Sequence, residues 1–492
     1  MKQLIILLII SLFSLSQTIE IVELPLPNTN KVVVKLMFKN GSITDPAGKE
    51  GLTFLTANLI TQGGSDKMSY SEIQEFIYPM AVNYFVSVDK EVTTFTFEVH
   101  KDFLEKFYPV MTALILEPSF AAADFERVKI NQQNYVDQVI RASSDEEYSK
   151  KALEDLLFRG TNYQHMKQGK SSSVKSLTLE DVKSHYEQYF TRNNLILGIA
   201  GNYSNEYLNQ PKSDIGKLPN SKPVIPEPGK ARQPAGIEVE IIAKENAFGS
   251  AIFTGFPLEI NRPNDNFAAL MVANSYLGEH RKAYSKLYQE IRQKRSMNYG
   301  DYSYIEWYES GGANMLPPPG VPRHSNYFAI WIRPVQIAKQ LTQQYEELSD
   351  IQVGHAHFAL RMAFYELDKL VKTGLTQNDF ESTRTFLRSY IKLYVQTPAD
   401  RLGFLMDSKF YGRDNYIEEL DQLLANLTLE DVNKAIKKQW QTDNMYVTIV
   451  TDASEAEPLA KSLKENLPSP MSYSNIVKAG LSEDILKTDK VV

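Results

Sequence analysis

Chemistry in a protein needs a nucleophile, a proton carrier or a bound metal, and this sequence supplies few residues of those kinds. It contains no cysteine, which removes thiolate nucleophiles, thiolate metal sites and disulfides together. Of its seven histidines only His355 and His357 lie close together. At i and i+2 they share a face of a strand but not of a helix. The stretch they precede, FALRMAFYELDKLV, has helical spacing, so the pair reads as surface or cap residues rather than ligands. His100, His165, His185, His280 and His324 are scattered. The carboxylates Glu146 and Glu147 read as a solvated helix face. Taken alone, Arg292 is one of several charges in and around RQKR, and Tyr299 a core aromatic ahead of a strand.

The elements that must position any such group can be read around them. The chain has 492 residues, 43% hydrophobic and 23% charged. That is globular composition for more than one domain. A net charge of -7 and the lack of a Lys/Arg run argue against a nucleic-acid partner. At the N-terminus, Met1 and Lys2 precede an apolar run from Leu4 to Leu15, with small Ser14 and Ser16 near its end. This is the pattern of an export signal. The run is shorter than the ~20 residues that span a bilayer. Residues 1–18 are thus expected to be a signal peptide, and the mature chain to be periplasmic or secreted with no stable membrane anchor.

The chain also repeats itself. SLTLEDVKSHYEQYFTRNN at 176–194 is matched by NLTLEDVNKAIKKQWQTDN at 426–444, an offset of 250 residues. Thr178 and Thr428 stand as helix N-caps, with Asp181 and Asp431 in the capping-box position. Each copy runs into an apolar strand, LILGIAG or MYVTIVTD. Asp124-Phe125-Glu126 and Asp379-Phe380-Glu381 repeat in the same order, 255 residues apart. The Pro/Lys/Ser/Asn-rich stretch from about Asn205 to Ala235 reads as a linker. The expected domains are 19–215 and 236–470, with a linker at 216–235 and a polar tail at 471–492. Strands such as VVVKLMF (32–38) and TTFTFEV (93–99) precede long helices without regular βαβ units. The expected class is therefore α+β, two homologous mixed domains, each an antiparallel-rich sheet with helices packed on it.

The segment VVVKLMFKNGSITDPAGKEGLTFLTANLITQGG, Val32 to Gly64, resembles the first strand, glycine turn and metal helix of the pitrilysin or insulinase family of zinc peptidases, which includes the mitochondrial processing peptidases. Gly41-Ser42 and Gly51-Leu52 match the family pattern, and the likeness covers nearly the whole chain. In that family a His-x-x-Glu-His helix binds zinc through its two histidines, the Glu is the general base, and a distant Glu is the third ligand. Here the resemblance puts Phe54, Ala57 and Asn58 at those three helix positions, and Asn134 at or next to the distant one. A donor set without His or carboxylate is not a zinc site, so no catalytic residue, metal or other cofactor is expected in this chain, and Phe54 is expected to fill the pocket.

LGEHRKAYSKLYQEIRQKRSMNYGDYSYIE, residues 277–306, resembles the second-half signature of the family. Its Arg and Tyr would be Arg292 and Tyr299, with Arg295 the second choice for the Arg. The resemblance implies that they bind the substrate backbone across a chamber, a role for which a guanidinium and a phenol are suitable donors. It further implies a clam-shell chamber, half of it formed by the duplicated halves of this chain. Some members are two-chain enzymes in which one subunit carries His-x-x-Glu-His and the other the Arg/Tyr pair. The expected function is the second role, a substrate-binding subunit with zinc in a homologous partner. The alternative is a scaffold or chaperone-like peptide binder. Gly311-Gly312 and Pro317-Pro318-Pro319-Gly320 read as a surface loop in preference to a chamber wall.

Overall fold

The computed structural model describes residues 19–306 and 316–492. Residues 1–18, expected to be an export signal, and Gly311-Gly312 lie outside these described residues. Each half is built on a five-stranded sheet. The first contains β1 (Glu20–Pro25), β2 (Lys31–Phe38), β3 (Asn83–Val88), β4 (Thr93–His100) and β5 (Leu195–Gly201), in the order β1-β5-β2-β4-β3. The second contains β6 (Ile237–Lys244), β7 (Ser250–Pro257), β8 (Asp301–Tyr304), β9 (Tyr327–Val335) and β10 (Met445–Asp452), in the order β6-β10-β7-β9-β8. The two orders are the same. In each sheet the first pair is parallel, β1 with β5 and β6 with β10, and the other pairs are antiparallel. The fold is α+β and duplicated.

The helices follow the repeat as well. In the first half we number α1 (Leu52–Gln62), α2 (Ala122–Asn134), α3 (Asp145–Leu157), α4 (Leu179–Tyr189) and α5 (Asn205–Ile215). In the second half come α6 (Phe267–Gly278), α7 (Ala356–Thr373), α8 (Gln377–Ile391), α9 (Pro398–Phe410), α10 (Leu429–Gln439), α11 (Ala453–Lys464) and α12 (Glu483–Val491). Thr178 and Thr428 cap α4 and α10 with complete capping boxes, Asp181 and Asp431 closing them.

Each sheet is buried on both faces, and one cover comes from the other half. Val34, Leu36 and Phe38 of β2 face the first-half core. Val33 and Met37, on the opposite face, pack against Leu402 and Met406 of α9. The approach is close: a Cβ on Gly198 of β5 would sit 2.3 Å from the Met406 sulfur. Reciprocally, Leu153, Leu156 and Leu157 of α3 cover Ala251, Phe253 and Tyr446 of the second sheet. Ser149 Oγ of α3 donates to the Thr448 carbonyl at 3.1 Å.

Two stretches are more structured than their composition suggests. The linker-like run begins as a helix, α5, which buries Tyr207, Leu208 and Ile215. Residues 216–235 carry no helix or strand, yet Arg232 N donates to the Leu157 carbonyl at 2.8 Å, and Ile225 packs on the inter-half cluster. The polar tail ends in α12, which is moored by Asp489 to a buried Arg295. Composition misled here because amphipathic helices are polar on average when only one face is apolar.

Candidate functional site

The helix α1 starts where Gly51 adopts φ 96°, a left-handed conformation that glycine reaches without strain. Asp45 replaces the missing cap, accepting from the amides of Gly51 (2.7 Å) and Thr53 (2.8 Å) and from the Thr53 hydroxyl (2.6 Å). Thr53 Oγ1 lies 2.9 Å from Nε2 of His185, and His165 Nε2 lies 3.3 Å from Asp45. Burial pushes the His185 imidazole down to about 4. These two histidines, far apart in sequence, support the start of α1.

The next turn bears no ligand. Phe54 packs against the first-half core while staying partly exposed. Ala57 is fully buried. Asn58 Nδ2 donates to the Phe54 carbonyl at 2.8 Å, and its Oδ1 accepts from Gln62 at 2.9 Å, so both ends of the amide are engaged within the helix. Asn134 is exposed at the end of α2. What α2 turns toward α1 is apolar, Phe125 and Val128 against Leu52, Leu55 and Leu59, followed by Gln132, whose amide donates to the carbonyls of Gly51 and Gln168. The space is closed by packing and amide hydrogen bonds. This donor set does not fit zinc. No group of three or more His, Asp or Glu suited to a metal occurs among the described residues.

In the second half, Arg292 lies on a π-helical turn, Tyr288–Gln293. Its guanidinium sits 4.8 Å from the Tyr288 ring and 5.9 Å from the Tyr299 ring. Tyr299 is 76% exposed. Arg292 and Tyr299 thus stand together as a stacked cation and phenol with the phenol in solvent. Arg295 differs. Its side chain is fully buried and is held by Asp489 (2.7 Å) and Glu290 (3.2 Å). His355 and His357 find separate partners, the Ser472 carbonyl and the Ser462 hydroxyl.

The residues that sequence reasoning missed are those joining the halves. Asp89, Lys90 and Glu91, at the turn between β3 and β4, are buried. Arg323 grips Asp89 with two bonds of 2.6 and 2.7 Å and reaches Glu154 of α3 at 3.2 Å. Lys90 lies 3.2 Å from the same Glu154 and donates to the Tyr163 and His165 carbonyls. Burial brings the Lys90 ammonium down to about 8. Burial alone would raise the Glu154 carboxyl, but Lys90 and Arg323 outweigh it and hold it down at about 2. Glu91 accepts from Tyr163 and from the His324 amide and ring. Glu146, expected on a solvated face, bridges the halves to Arg333 at 2.8 Å. The Pro317–Gly320 loop is likewise part of this seam: Gly320 N donates to Asp407 at 3.0 Å, and Thr94 donates to its carbonyl. The surface-loop reading fails because a proline-rich loop shows its own stiffness but not what packs over it.

Two family models match this chain, one described as insulinase (peptidase family M16) over residues 21–168 and one as the peptidase M16 inactive domain over 176–387. A relative named non-peptidase homolog YmxG, from Helicobacter pylori, is 19% identical over 85% of this chain and 88% of its own length. Among solved structures, a peptidase M16 inactive domain from Pseudomonas fluorescens superposes with a TM-score of 0.74 at 18% identity, covering 89% of this chain and 97% of that one. A chain of complex III2 from Candida albicans does so with a TM-score of 0.66 at 12% identity, over 87% and 93%.

Proposed function

Because the chain belongs to the M16 (insulinase) peptidase family and lacks that family's zinc-binding side chains, we propose that it is the non-catalytic, substrate-binding subunit of a heterodimeric zinc peptidase. Its partner is a homologue with an intact His-x-x-Glu-His helix and supplies the zinc; its substrate is a peptide or unfolded protein. The observation that carries the reading is the contrast between two places. In α1, Ala57 is buried in the core and the Asn58 amide is tied up within the helix, whereas Arg292 and Tyr299 remain stacked at the surface with the phenol free to donate. A structural match inside a multi-subunit assembly supports the idea of a partner. The apolar run Leu4 to Leu15 supports an exported, periplasmic or secreted site of action, and recovery of exported protein that still begins at Met1 would refute cleavage.

In the assembled pair, Arg292 and Tyr299 orient the peptide carbonyl and steady the oxyanion that forms on it. Loss of one such preorganised donor costs about 100- to 1000-fold in turnover. Arg292→Ala and Tyr299→Phe should therefore cripple peptide hydrolysis by the reconstituted pair while leaving assembly and the partner's zinc intact. Because both act on one transition state, the double variant should be little worse than the worse single one. Near-wild-type turnover by both variants would sink the subunit reading in favour of a scaffold that binds peptides without catalysis.

A further inference from the structure

The second sheet ends in a strand with one side free. β6 pairs only with β10, and no other backbone hydrogen bond reaches residues 237–243 among the described residues. The polarity of that free side can be derived. Met445 N donates to the Gly236 carbonyl, so in the parallel ladder the even residues 238, 240 and 242 face β10. The amides and carbonyls of Ile237, Val239 and Ile241 point outward. Natural proteins blunt such edges with charged residues, proline or a bulge; β6, IEVEIIAK, has Glu238 and Glu240 on one face but no proline and no bulge, and its other face is Ile237, Val239 and Ile241.

Both faces of this edge open into cavities. One, of about 780 Å³, is lined on the sheet side by Ile237, Val239 and Ile241, and otherwise by α7, α11 and Asn466. The other, of about 360 Å³, is lined on its sheet side by Glu240 and Ile242 and lies against α3. No residue of β10 lines either cavity, so both sit outside the outermost strand.

The larger cavity carries cations only, Arg361 and Lys464, and in the smaller one Arg141, Lys151 and Lys170 outnumber Asp155 and Glu240. Arg361, Lys464, Arg141 and Lys170 form no ion pair among the described residues; Arg361 donates only to the neutral Ser469 and Asn466. Asp137 near Arg141 and Glu50 near Lys170 offset part of the charge at the smaller cavity, so the uncompensated pair is Arg361 and Lys464 of the larger one. Arg159 holds both Asp155 and Glu240, and Glu238 accepts from the Ala235 amide.

We propose that the free edge of β6 is a docking site for an extended, acidic-apolar segment of a partner protein. The segment adds to the second sheet as a sixth strand. Its alternate side chains enter the two cavities, and its carboxylates meet the uncompensated cations. Strand addition draws affinity from the main chain and specificity from alternate pockets. A second copy of this chain is the poorer occupant, because the carboxylates of its own β6 are engaged, Glu240 by Arg159 and Glu238 by the Ala235 amide, and it would bring the same cations to the contact. Neither Arg292 nor Tyr299 lines either cavity, and the proposed docking needs no zinc-bearing partner.

The test uses the full chain and two fluorescent seven-residue peptides with apolar interiors, one ended by carboxylates and one by lysines. The acidic probe should bind saturably, weaken with salt, and bind at least about tenfold more tightly than the basic one. Val239→Pro removes an outward amide that β10 does not use, a position at which an edge strand tolerates proline. It should weaken the acidic probe by about tenfold or more with the melting temperature kept. If that variant folds poorly, Arg361→Gln with Lys464→Gln should erase the preference for acid over base. No saturable binding, equal binding of both probes, or binding indifferent to these variants would overturn the proposal. So would a wild-type dimer that Val239→Pro dissociates, which would assign the edge to a second copy.

Discussion

Replacing Arg323 by methionine tests how the two halves are held. The guanidinium is buried and is the only cation within ion-pair distance of Asp89 among the described residues. Glu154 would keep Lys90 at 3.2 Å, so the loss falls mainly on Asp89. Leaving one member of a buried pair uncompensated costs about 3–5 kcal/mol. An unfolding entropy of about 2.1 cal/mol/K per residue gives roughly 1 kcal/mol/K for the whole chain and about half that for one half. Arg323→Met should thus lower the melting temperature by about 4 °C if the chain unfolds as one unit, and by about 8 °C if one half melts alone. Calorimetry measures both the shift and the number of transitions. Adding Asp89→Asn removes the stranded charge and should restore part of the stability. A shift below about 1 °C, or a double variant no better than Arg323→Met, would refute this account of the seam.

Three further outcomes follow from the geometry. Burial raises the Glu279 carboxyl from 4.5 to about 8, so the folded state holds a proton that the unfolded state releases; stability should fall as pH rises from 4.5 to 8, and in urea titrations Glu279→Gln should flatten that slope, a pH-independent effect counting against it. Arg295→Ala should free α12, which Asp489 moors, and limited proteolysis should then trim the tail while hydrolysis by an assembled pair is much less affected than with Arg292→Ala; an untrimmed tail would contradict this. Restoring His, Glu and His at positions 54, 57 and 58 should destabilise the chain, because a carboxylate would replace the fully buried Ala57, and should not yield stoichiometric zinc, which metal analysis after dialysis would show.

Legibility in the sequence depended on whether a feature is local. The paired Thr178 and Thr428 caps, the β2 and β4 strands and the missing ligands at 54, 57 and 58 are set by residues within a few positions of one another. The seam is not. Asp89-Lys90-Glu91 has the composition of an exposed turn, and Arg323, Glu154, Tyr163 and His324, brought from distant positions, make it a core. Likewise, the apolar stripes of α3 and α9 announce buried helices without saying which sheet they bury. At the candidate site, Arg292 and Arg295 look alike in RQKR; the backbone turn between them sends one to the surface and the other to Asp489.

The exchange of α3 and α9 between the halves also sets a schedule. The first sheet is complete once Gly201 has been made, but the helix that covers its second face ends only at Phe410. At about 5–20 residues per second, some 10–40 s separate the synthesis of that face from the synthesis of its cover. Throughout that interval Val33, Met37, Ile196 and Ala200 present an apolar sheet to whatever is nearby. For this chain, domain-by-domain folding cannot run to completion. The first half has to be kept from aggregating until the second is nearly finished, and neither half should survive as an independent fragment.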